Sequence, residues 1–195
     1  MFVCAGENES FSFAKNIGIG LIDSAISLTA LCLQNIPDNI IFVGSAGSYD
    51  SDIRINDIFY SFCATNIEIS FLMDKSYTPI DNIVRMESFG VSYETFTKKI
   101  FTNSLNISQV TVNSSNYITK SSEFNKVMKD AGIMLENMEF FSVLKVAKHF
   151  NIPALGIFCV SNIVGENSHN EFSKNHVTVK QRLNEFVINT LKVIL

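Results

Sequence analysis

Four consecutive small residues, Gly44, Ser45, Ala46 and Gly47, follow a predicted strand at Asn39–Val43. Small residues at this position let backbone N–H groups come close to an anion, a sugar or a water molecule. A tight turn after a strand requires the same residue types, and the spacing alone does not separate the two interpretations. The run is neither a Walker loop nor a dinucleotide fingerprint, because it lacks the Gly-Lys-Ser/Thr and Gly-x-Gly-x-x-Gly patterns.

Glutamates near two predicted elements are candidates for binding hydroxyl groups or for orienting a water molecule. Glu136 and Glu139 are predicted to lie in the first turn of a helix, where the helix dipole alone favours a carboxylate. A functional carboxylate there would instead accept hydrogen bonds from vicinal hydroxyls. Glu7 and Glu9 follow the apolar run Met1–Ala5, and either could orient a water, although exposed loop glutamates are commoner.

Ser161 and Asn162 directly follow the apolar run Ala154–Val160, which predicts a strand covered on both faces. Ligands of open α/β sheets bind at the carboxyl ends of strands, so the Asn162 amide could face a ligand heteroatom. Ser and Asn are also ordinary turn residues. His169 and His176 are predicted to be solvent-exposed in a polar loop, and the histidines show no metal-ligand spacing.

Short apolar runs alternate with segments of helical period, which is typical of an α/β layered fold. No linker or repeat divides the chain, and we expect one domain over residues 1–195. The other predicted strands are Lys15–Ile19, Ile58–Ala64, Ile67–Phe71 and Ser108–Val112. The predicted helices are Leu21–Leu33, Ser122–Lys129, Met138–Phe150 and Thr178–Leu195.

The composition excludes several classes of protein. Hydrophobic residues make up 47% of the chain and charged residues 17%, so general disorder is excluded. The net charge of -4 and the lack of a Lys/Arg cluster argue against a nucleic-acid partner. No apolar run reaches the roughly 18 residues that span a bilayer, and the N-terminus has no signal-peptide pattern. The four cysteines lie far apart, which predicts buried, reduced thiols and a cytoplasmic location.

Taken together, four stretches resemble, in order, motifs of the nucleoside phosphorylase and nucleosidase superfamily. They are Ile17-Gly-Ile-Gly20 ("SGIGK"), Phe42-Val-Gly-Ser-Ala-Gly47 with Asn56-Asp-Ile58 ("TGSAGG…GDIV"), Asn113-Ser-Ser-Asn-Tyr-Ile118 ("SGDxFI"), and Asn137-Met-Glu139 through Pro153 to Ser161-Asn162 ("EMEGAA…GVP…ISD"). The resemblance implies a three-layer α/β/α fold with a central mixed twisted sheet. It also implies cleavage of the N-glycosidic bond of a purine nucleoside or similar metabolite, with phosphate or water as acceptor.

The resemblance also implies roles for individual residues. Glu139 would bind the ribose hydroxyls, Met138 would pack against the sugar, and Tyr117 would stack on the base. The run from Gly44 to Gly47 would lie beside the anomeric carbon. Ser161 and Asn162 would face N7 and the exocyclic edge of a purine, and Glu7 or Glu9 would activate water.

The chain departs from the family pattern in ways that bear on catalysis. Asn162 replaces the aspartate that protonates N7, and an amide can donate a hydrogen bond there but cannot deliver a proton. Phosphorylases bind phosphate with arginines, and Arg85 is the best remaining candidate among the three arginines of this chain. Water is therefore a serious alternative to phosphate as the acceptor. The bulky Phe140 and Phe141 replace small residues and would narrow the pocket or shift the helix.

The alternative to an enzyme is a relative that binds a nucleoside or base but has lost turnover. The resemblance implies no metal or organic cofactor. It implies a homo-oligomer, with a dimer favoured, because pockets in the family lie near subunit interfaces.

Overall fold

The computed structural model of the protein describes residues 1–86 and 107–191. The strands are β1 (Phe2–Cys4), β2 (Lys15–Asn16), β3 (Ile40–Ser48), β4 (Ile58–Thr65), β5 (Ile83–Arg85), β6 (Ser108–Ser114), β7 (Ile133–Asn137) and β8 (Ala154–Ile163). The helices are α1 (Gly20–Gln34), α2 (Ile69–Leu72), α3 (Asn125–Asp130), α4 (Phe140–His149) and α5 (Ser168–Thr190), and a 3-10 helix covers Glu7–Glu9.

Within residues 1–86 and 107–191, eight strands form one mixed sheet. The strand order is β2-β1-β3-β7-β6-β4-β5, and β8 pairs with both β3 and β4. β3 runs parallel to β1 and β8 but antiparallel to β7. α5 packs on β8 and β3, whereas α4 packs on β4, β6 and β8 and also contacts α1. This sheet between helices confirms the predicted α/β fold class. In the described part of the chain, no helix combines the length and the apolar character needed to cross a membrane.

The run from Gly44 to Gly47 belongs to β3, which corrects the predicted boundary at Val43. β8 supplies a parallel partner as far as Ser48, so the small residues stay in the ladder instead of forming a turn. The register of β3 against β8 shifts between Ala46 and Gly47, so the ladder is irregular at this point.

The predicted strand Ile67–Phe71 is wrong, because a short helix, α2, occupies most of this segment. The side chain of Asn113 explains the difference. It accepts a hydrogen bond from the Ile67 N–H and donates one to the Ile67 carbonyl, so a side chain takes the place of a neighbouring strand. The backbone then turns, with the N–H of Phe71 bonded to the carbonyl of Glu68.

The C-terminal helix α5 begins ten residues before the predicted start at Thr178. Ser168 stabilises its first turn, since its hydroxyl oxygen accepts a hydrogen bond from the Gly165 N–H at 2.8 Å. His169 and His176 therefore lie on a helix and not in the predicted loop. Residues 192–195 of the predicted helix lie outside the described residues.

Phe140 and Phe141 are buried in the core and do not narrow the pocket, which corrects the expectation from their size. The ring centroid of Phe140 lies 5.0 Å from that of Phe158 and 6.0 Å from that of Phe42. Gly156 leaves room for this cluster, because a Cβ atom there would lie 2.4 Å from the Phe158 ring. All four cysteines are buried thiols outside any disulfide, as predicted.

Candidate functional site

A cavity of about 250 Å³ lies at the ends of β3, β7 and β8, next to the residues that follow β1. The 3-10 helix after β1 and the first turns of α5 complete its wall. The lining residues are Ala5, Gly6, Glu7, Asn8, Glu9, Ile19, Ser45, Ala46, Gly47, Ile118, Glu136, Asn137, Met138, Glu139, Ser161, Asn162, Ser168, His169 and Phe172.

Glu9 reaches this cavity from the 3-10 helix, and Ser45 of β3 holds its carboxylate. Oε1 of Glu9 accepts hydrogen bonds from the Ser45 backbone N–H at 3.2 Å and from the Ser45 hydroxyl. Burial raises the pKa of Glu9, and the bonds from Ser45 oppose the rise. A carboxylate with a raised pKa that faces a cavity can remove a proton from water. Glu7 also lines the cavity, but its side chain is exposed.

Asn137 ties the end of β7 to β3 and to the start of α4. Its Oδ1 accepts hydrogen bonds from the N–H groups of Glu139 and Phe140, each at 2.9 Å, which otherwise lack partners at a helix start. Its Nδ2 donates to the carbonyl of Ser45 at 3.1 Å. The residue thereby fixes the backbone that carries Met138 and Glu139 into the cavity.

Glu139 precedes the first residue of α4 and is only 3% exposed. Its Oε1 accepts a hydrogen bond from the Gly20 N–H at the start of α1, at 3.0 Å. Burial raises the pKa of Glu139 to about 7, and the negative charge of Glu9 adds to the rise. The hydrogen bond from Gly20 opposes it. One carboxylate oxygen thus anchors the side chain, and acceptor capacity remains for hydroxyl groups of a ligand.

Ser161 and Asn162 end the buried part of β8. The Ser161 hydroxyl donates to Oδ1 of Asn162 at 2.8 Å. The Nδ2 atom of Asn162 lies over Gly47, 2.8 Å from where a Cβ atom of that residue would be. The amide therefore presents an N–H donor above the bare backbone of Gly47.

A second buried carboxylate, Glu136 of β7, lines the cavity one residue before Asn137. Its Oε2 accepts hydrogen bonds from the Tyr49 hydroxyl at 2.9 Å and from the Thr119 hydroxyl. Its Oε1 accepts from the Thr119 backbone N–H at 3.1 Å. Burial raises the pKa of Glu136, and these three hydrogen bonds counteract that shift.

The first turns of α5 add His169 and Phe172 to the cavity wall. His169 is exposed on its outer side, and His176, one turn beyond Phe172, is half-buried with its ring stacked on Phe172 at 5.8 Å. The expectation that both histidines are solvent-exposed is met by His169, whereas His176 is half-buried.

Most of the residues singled out in the sequence meet in this cavity. They are Glu7, Glu9, Ser45, Ala46, Gly47, Met138, Glu139, Ser161 and Asn162. Gly44 is not among the lining residues, although a Cβ atom there would lie 3.3 Å from Oε2 of Glu9. Tyr117 is 77% exposed and is not part of the lining, whereas its neighbour Ile118 is. Arg85 is exposed at the end of β5, away from the lining.

The sequence analysis missed Phe172 and Ile118 and misplaced Glu136 and Asn137. Phe172 was readable, since it continues the apolar face of α5 seven residues before Val179. Ile118 directly follows Tyr117, the predicted aromatic contact, and lines the cavity in its place. Glu136 was predicted in the first turn of a helix, but Glu136 and Asn137 end a five-residue strand that follows Gly132, whose φ of +77° marks the turn.

Comparisons with known proteins support the family resemblance. A family model described as the phosphorylase superfamily matches residues 12–192. The 5′-methylthioadenosine/S-adenosylhomocysteine nucleosidase of Oceanobacillus iheyensis is 24% identical over 187 residues, which cover 91% of this chain and 79% of that protein.

Solved structures share the fold at lower identity. The Streptococcus pneumoniae 5′-methylthioadenosine/S-adenosylhomocysteine nucleosidase with the transition-state inhibitor MT-ImmA has a TM-score of 0.74 and 14% identity. A mutant futalosine hydrolase of Helicobacter pylori has a TM-score of 0.73 and 16% identity. In each case the match covers 96% of this chain and 95% of the other.

The match confirms the resemblance that the four motifs indicated and, at the level of the family, an enzyme that cleaves the N-glycosidic bond of nucleoside-like molecules. The motifs, the mixed sheet and the family match over residues 12–192 lead to one conclusion: the chain belongs to the phosphorylase superfamily.

Proposed function

We propose that this chain hydrolyses the N-glycosidic bond of a purine nucleoside or a similar metabolite, with water as the acceptor. The observation that carries the proposal is the carboxylate of Glu9, which Ser45 holds inside the cavity. Among the described lining residues there is no arginine or lysine, and a bound phosphate would need such a cation. The relatives named as nucleosidases support the same choice.

The residues that line the cavity have separate roles in the reaction. Glu139 accepts hydrogen bonds from the ribose hydroxyls, and Met138 packs against the sugar. Glu9 removes a proton from water, whose oxygen attacks the anomeric carbon while the bond to the base nitrogen breaks. The departing base takes the bonding electrons, and the Asn162 amide hydrogen-bonds N7, where negative charge develops.

Asn162 cannot supply the proton that the base finally needs, so that proton comes from solvent. Loss of a general acid commonly costs about 10²- to 10⁴-fold in rate, and we expect slow turnover or a base that leaves readily as an anion. Ile118 and Phe172 supply the apolar contact with the base, since the exposed side chain of Tyr117 is not part of the cavity lining.

The second candidate is a nucleoside-binding protein without turnover, and Asn162 is the observation that favours it. Base release from a panel of purine nucleosides, with and without phosphate, decides between the candidates. We expect release without phosphate that is abolished in the Glu9→Gln variant. Phosphate-dependent release would contradict hydrolysis, and thermal stabilisation by a nucleoside without any release would favour the binding protein.

We also propose a homodimer formed through α1. Large apolar side chains on this helix are exposed, among them Ile22 at 65%, Ile26 at 64% and Leu33 at 73%. The spacing of Ile22, Ile26 and Leu33 places them on one face of the helix, and a contiguous apolar face of this kind favours contact with another protein surface. A second copy of the chain presents an equivalent face, as a two-fold dimer requires.

A further inference from the structure

Asn162 lies in an irregular part of β8, where the ladder with β3 skips one residue. Ala46 of β3 pairs with Val160 of β8. The next residue of β3, Gly47, pairs with Asn162, so Ser161 has no partner on β3. One extra residue of this kind is a β-bulge, and bulges beside binding sites change the direction in which a side chain points. The residue that directly follows this bulge is Asn162, which lines the cavity.

Two side chains of α5 bind the backbone of β8 at the bulge. One residue earlier, the N–H and the carbonyl of Val160 are still bonded to the residues that precede β4. Nδ2 of Asn175 then donates a hydrogen bond to the Ser161 carbonyl at 2.8 Å. Oε2 of Glu171 accepts one from the Ile163 N–H, also at 2.8 Å. Because backbone groups inside a protein require partners, these two side chains take the place of a neighbouring strand.

The two hydrogen bonds lie on either side of Asn162, since Ser161 precedes it and Ile163 follows it. Glu171 and Asn175 are four residues apart, so they project from the same face of α5, about one turn apart. Their bonds have opposite polarity, because one side chain accepts a hydrogen and the other donates one. Together they fix the direction of the backbone at Asn162, which a single bond would leave free to rotate.

The side chain of Asn162 fits closely into its surroundings. The residue is only 7% exposed, and its Oδ1 accepts a hydrogen bond from the Ser161 hydroxyl at 2.8 Å. Its Nδ2 and Cγ2 of Val164 fill the space beside Gly47, where a Cβ atom would lie 2.8 Å from the first and 3.1 Å from the second. Because this space is filled, a change of backbone direction at Asn162 would displace the amide.

We infer that Glu171 and Asn175 are positioning residues, which hold the Asn162 amide toward the cavity by fixing the bulge. The inference gives α5 a role beyond the apolar contact of Phe172. Its effect on turnover rests on the proposed function, in which the Asn162 amide hydrogen-bonds the departing base. The order of the Asn162 side chain does not depend on turnover and is tested separately.

The test uses substitutions that change few atoms. Asn175→Asp keeps the shape of the side chain but removes the N–H donor, and a carboxylate oxygen then faces the Ser161 carbonyl. Glu171→Gln retains an acceptor for the Ile163 N–H, whereas Glu171→Ala removes it. Asn170→Asp makes the same chemical change as Asn175→Asp at an exposed position of α5 and is the matched control. Thermal unfolding gives the temperature range in which each variant is folded.

The first measurement follows the Asn162 side chain without a ligand. NMR relaxation of its NH₂ group reports order on the ps–ns timescale, and its signals are identified by their loss in Asn162→Ala. We expect an ordered amide in the wild type, Glu171→Gln and Asn170→Asp, and shifted signals with lower order in Asn175→Asp and Glu171→Ala. A mobile amide in the wild type would overturn the inference, as would signals that neither Asn175→Asp nor Glu171→Ala alters.

The second measurement separates positioning from a general loss of structure. In hydrolysis of a purine nucleoside, Asn175→Asp should lower kcat by about tenfold or more and change KM by less than about twofold, because the Glu139 contact with the sugar remains. In the Asn162→Ala background, the same substitution should change kcat by less than about twofold, since the group that it positions is absent. Equal losses in both backgrounds would overturn the inference. If no nucleoside is cleaved, the proposed hydrolysis fails on its own, and the order of the Asn162 amide still decides the inference.

Discussion

The carboxylate of Glu139 accepts a hydrogen bond from the backbone N–H of Gly20, 119 positions earlier in the chain, at 3.0 Å. Gly20 is the first residue of α1, so Glu139 binds one of the N–H groups that a helix leaves without a partner at its start. The partial positive charge of that helix end favours the ionised carboxylate, whereas burial disfavours it. The helix end thus favours the charged form of Glu139, and burial favours its neutral form.

This balance predicts how stability depends on pH. The pKa of Glu139 is about 7 in the folded protein, against an ordinary value of 4.5. Between these values the folded state holds the proton more tightly, so this residue lowers the free energy of unfolding as pH rises from about 4.5 to 7. The decrease is at most roughly 3 kcal/mol. Urea unfolding at pH 5 and pH 8 should show a smaller decrease in Glu139→Gln than in the wild type.

The same variant should also lose activity, because Gln has no charge with which to hold the ribose hydroxyls. We expect a decrease in kcat/KM of about 10²-fold. Equal pH dependence of stability in both proteins would contradict the shifted pKa, and unchanged kcat/KM would remove the sugar-binding role.

Glu9 and Glu7 give a matched pair of variants. Ser45 holds Glu9 in the cavity, whereas the side chain of Glu7 is exposed. We expect Glu9→Gln to lower kcat by about 10²- to 10⁴-fold, since a general base is lost, and Glu7→Gln to leave it within about twofold. Steady-state hydrolysis assays with both variants make the comparison. Similar losses in the two would mean that neither carboxylate alone activates water.

Asn137 should contribute to stability through its two roles. In Asn137→Ala, the N–H groups of Glu139 and Phe140 lose their acceptor, and the Ser45 carbonyl loses a donor. Loss of a helix cap costs about 1 to 2 kcal/mol. Chemical denaturation should show this decrease, while the exposed-site control Asn189→Ala should change little. A decrease no larger than that of the control would show that water replaces the Asn137 side chain.

The sequence predicted the start of β8 correctly because the information is local, although the strand continues three residues past the predicted end at Val160, to Ile163. Ala154–Val160 is continuously apolar, Pro153 stops the preceding helix, and Ser161 and Asn162 break the run. β7 could not be found in the same way. Its last two residues, Glu136 and Asn137, look like surface residues, and their partners come from distant segments of the chain.

The direction in which aromatic side chains point also could not be predicted from the sequence. The motif around Tyr117 indicated an aromatic wall for the base, but backbone direction decides that Ile118 and not Tyr117 lies in the lining. Phe140 and Phe141 looked like an obstruction, yet Gly156 opens space for Phe140 on the core side. Residue size could be read from the sequence, whereas the side to which each residue turns depends on tertiary contacts.

The proposed dimer is tested with a charge on its apolar face. Ile26 is 64% exposed on α1, and Val177 is 63% exposed on α5. Light scattering after size exclusion should show a dimer for the wild type and for Val177→Glu, and a monomer for Ile26→Glu, because a buried unpaired charge opposes association. A wild-type monomer, or an Ile26→Glu dimer, would contradict the proposed interface.

Asn162→Asp restores the acid that the family pattern has at this position, and the neighbouring residues Ser161 and Gly47 can accommodate a carboxyl group. The Ser161 hydroxyl can still donate to one carboxylate oxygen, while the other takes the place of Nδ2 over Gly47. When protonated, the new Asp donates a hydrogen bond to N7 and then delivers its proton to the departing base. We expect kcat to rise by about 10- to 10²-fold, within the range that a general acid contributes.

The rise should be larger for adenosine than for inosine, because the carbonyl oxygen of the protonated Asp can accept a hydrogen bond from a 6-amino group, which the Asn162 Nδ2 atom cannot do. The variant should also lose activity as pH rises above the pKa of its new acid, a dependence that an amide cannot produce. A lower kcat with both nucleosides would mean that this site needs the amide, and that the base leaves without protonation at N7.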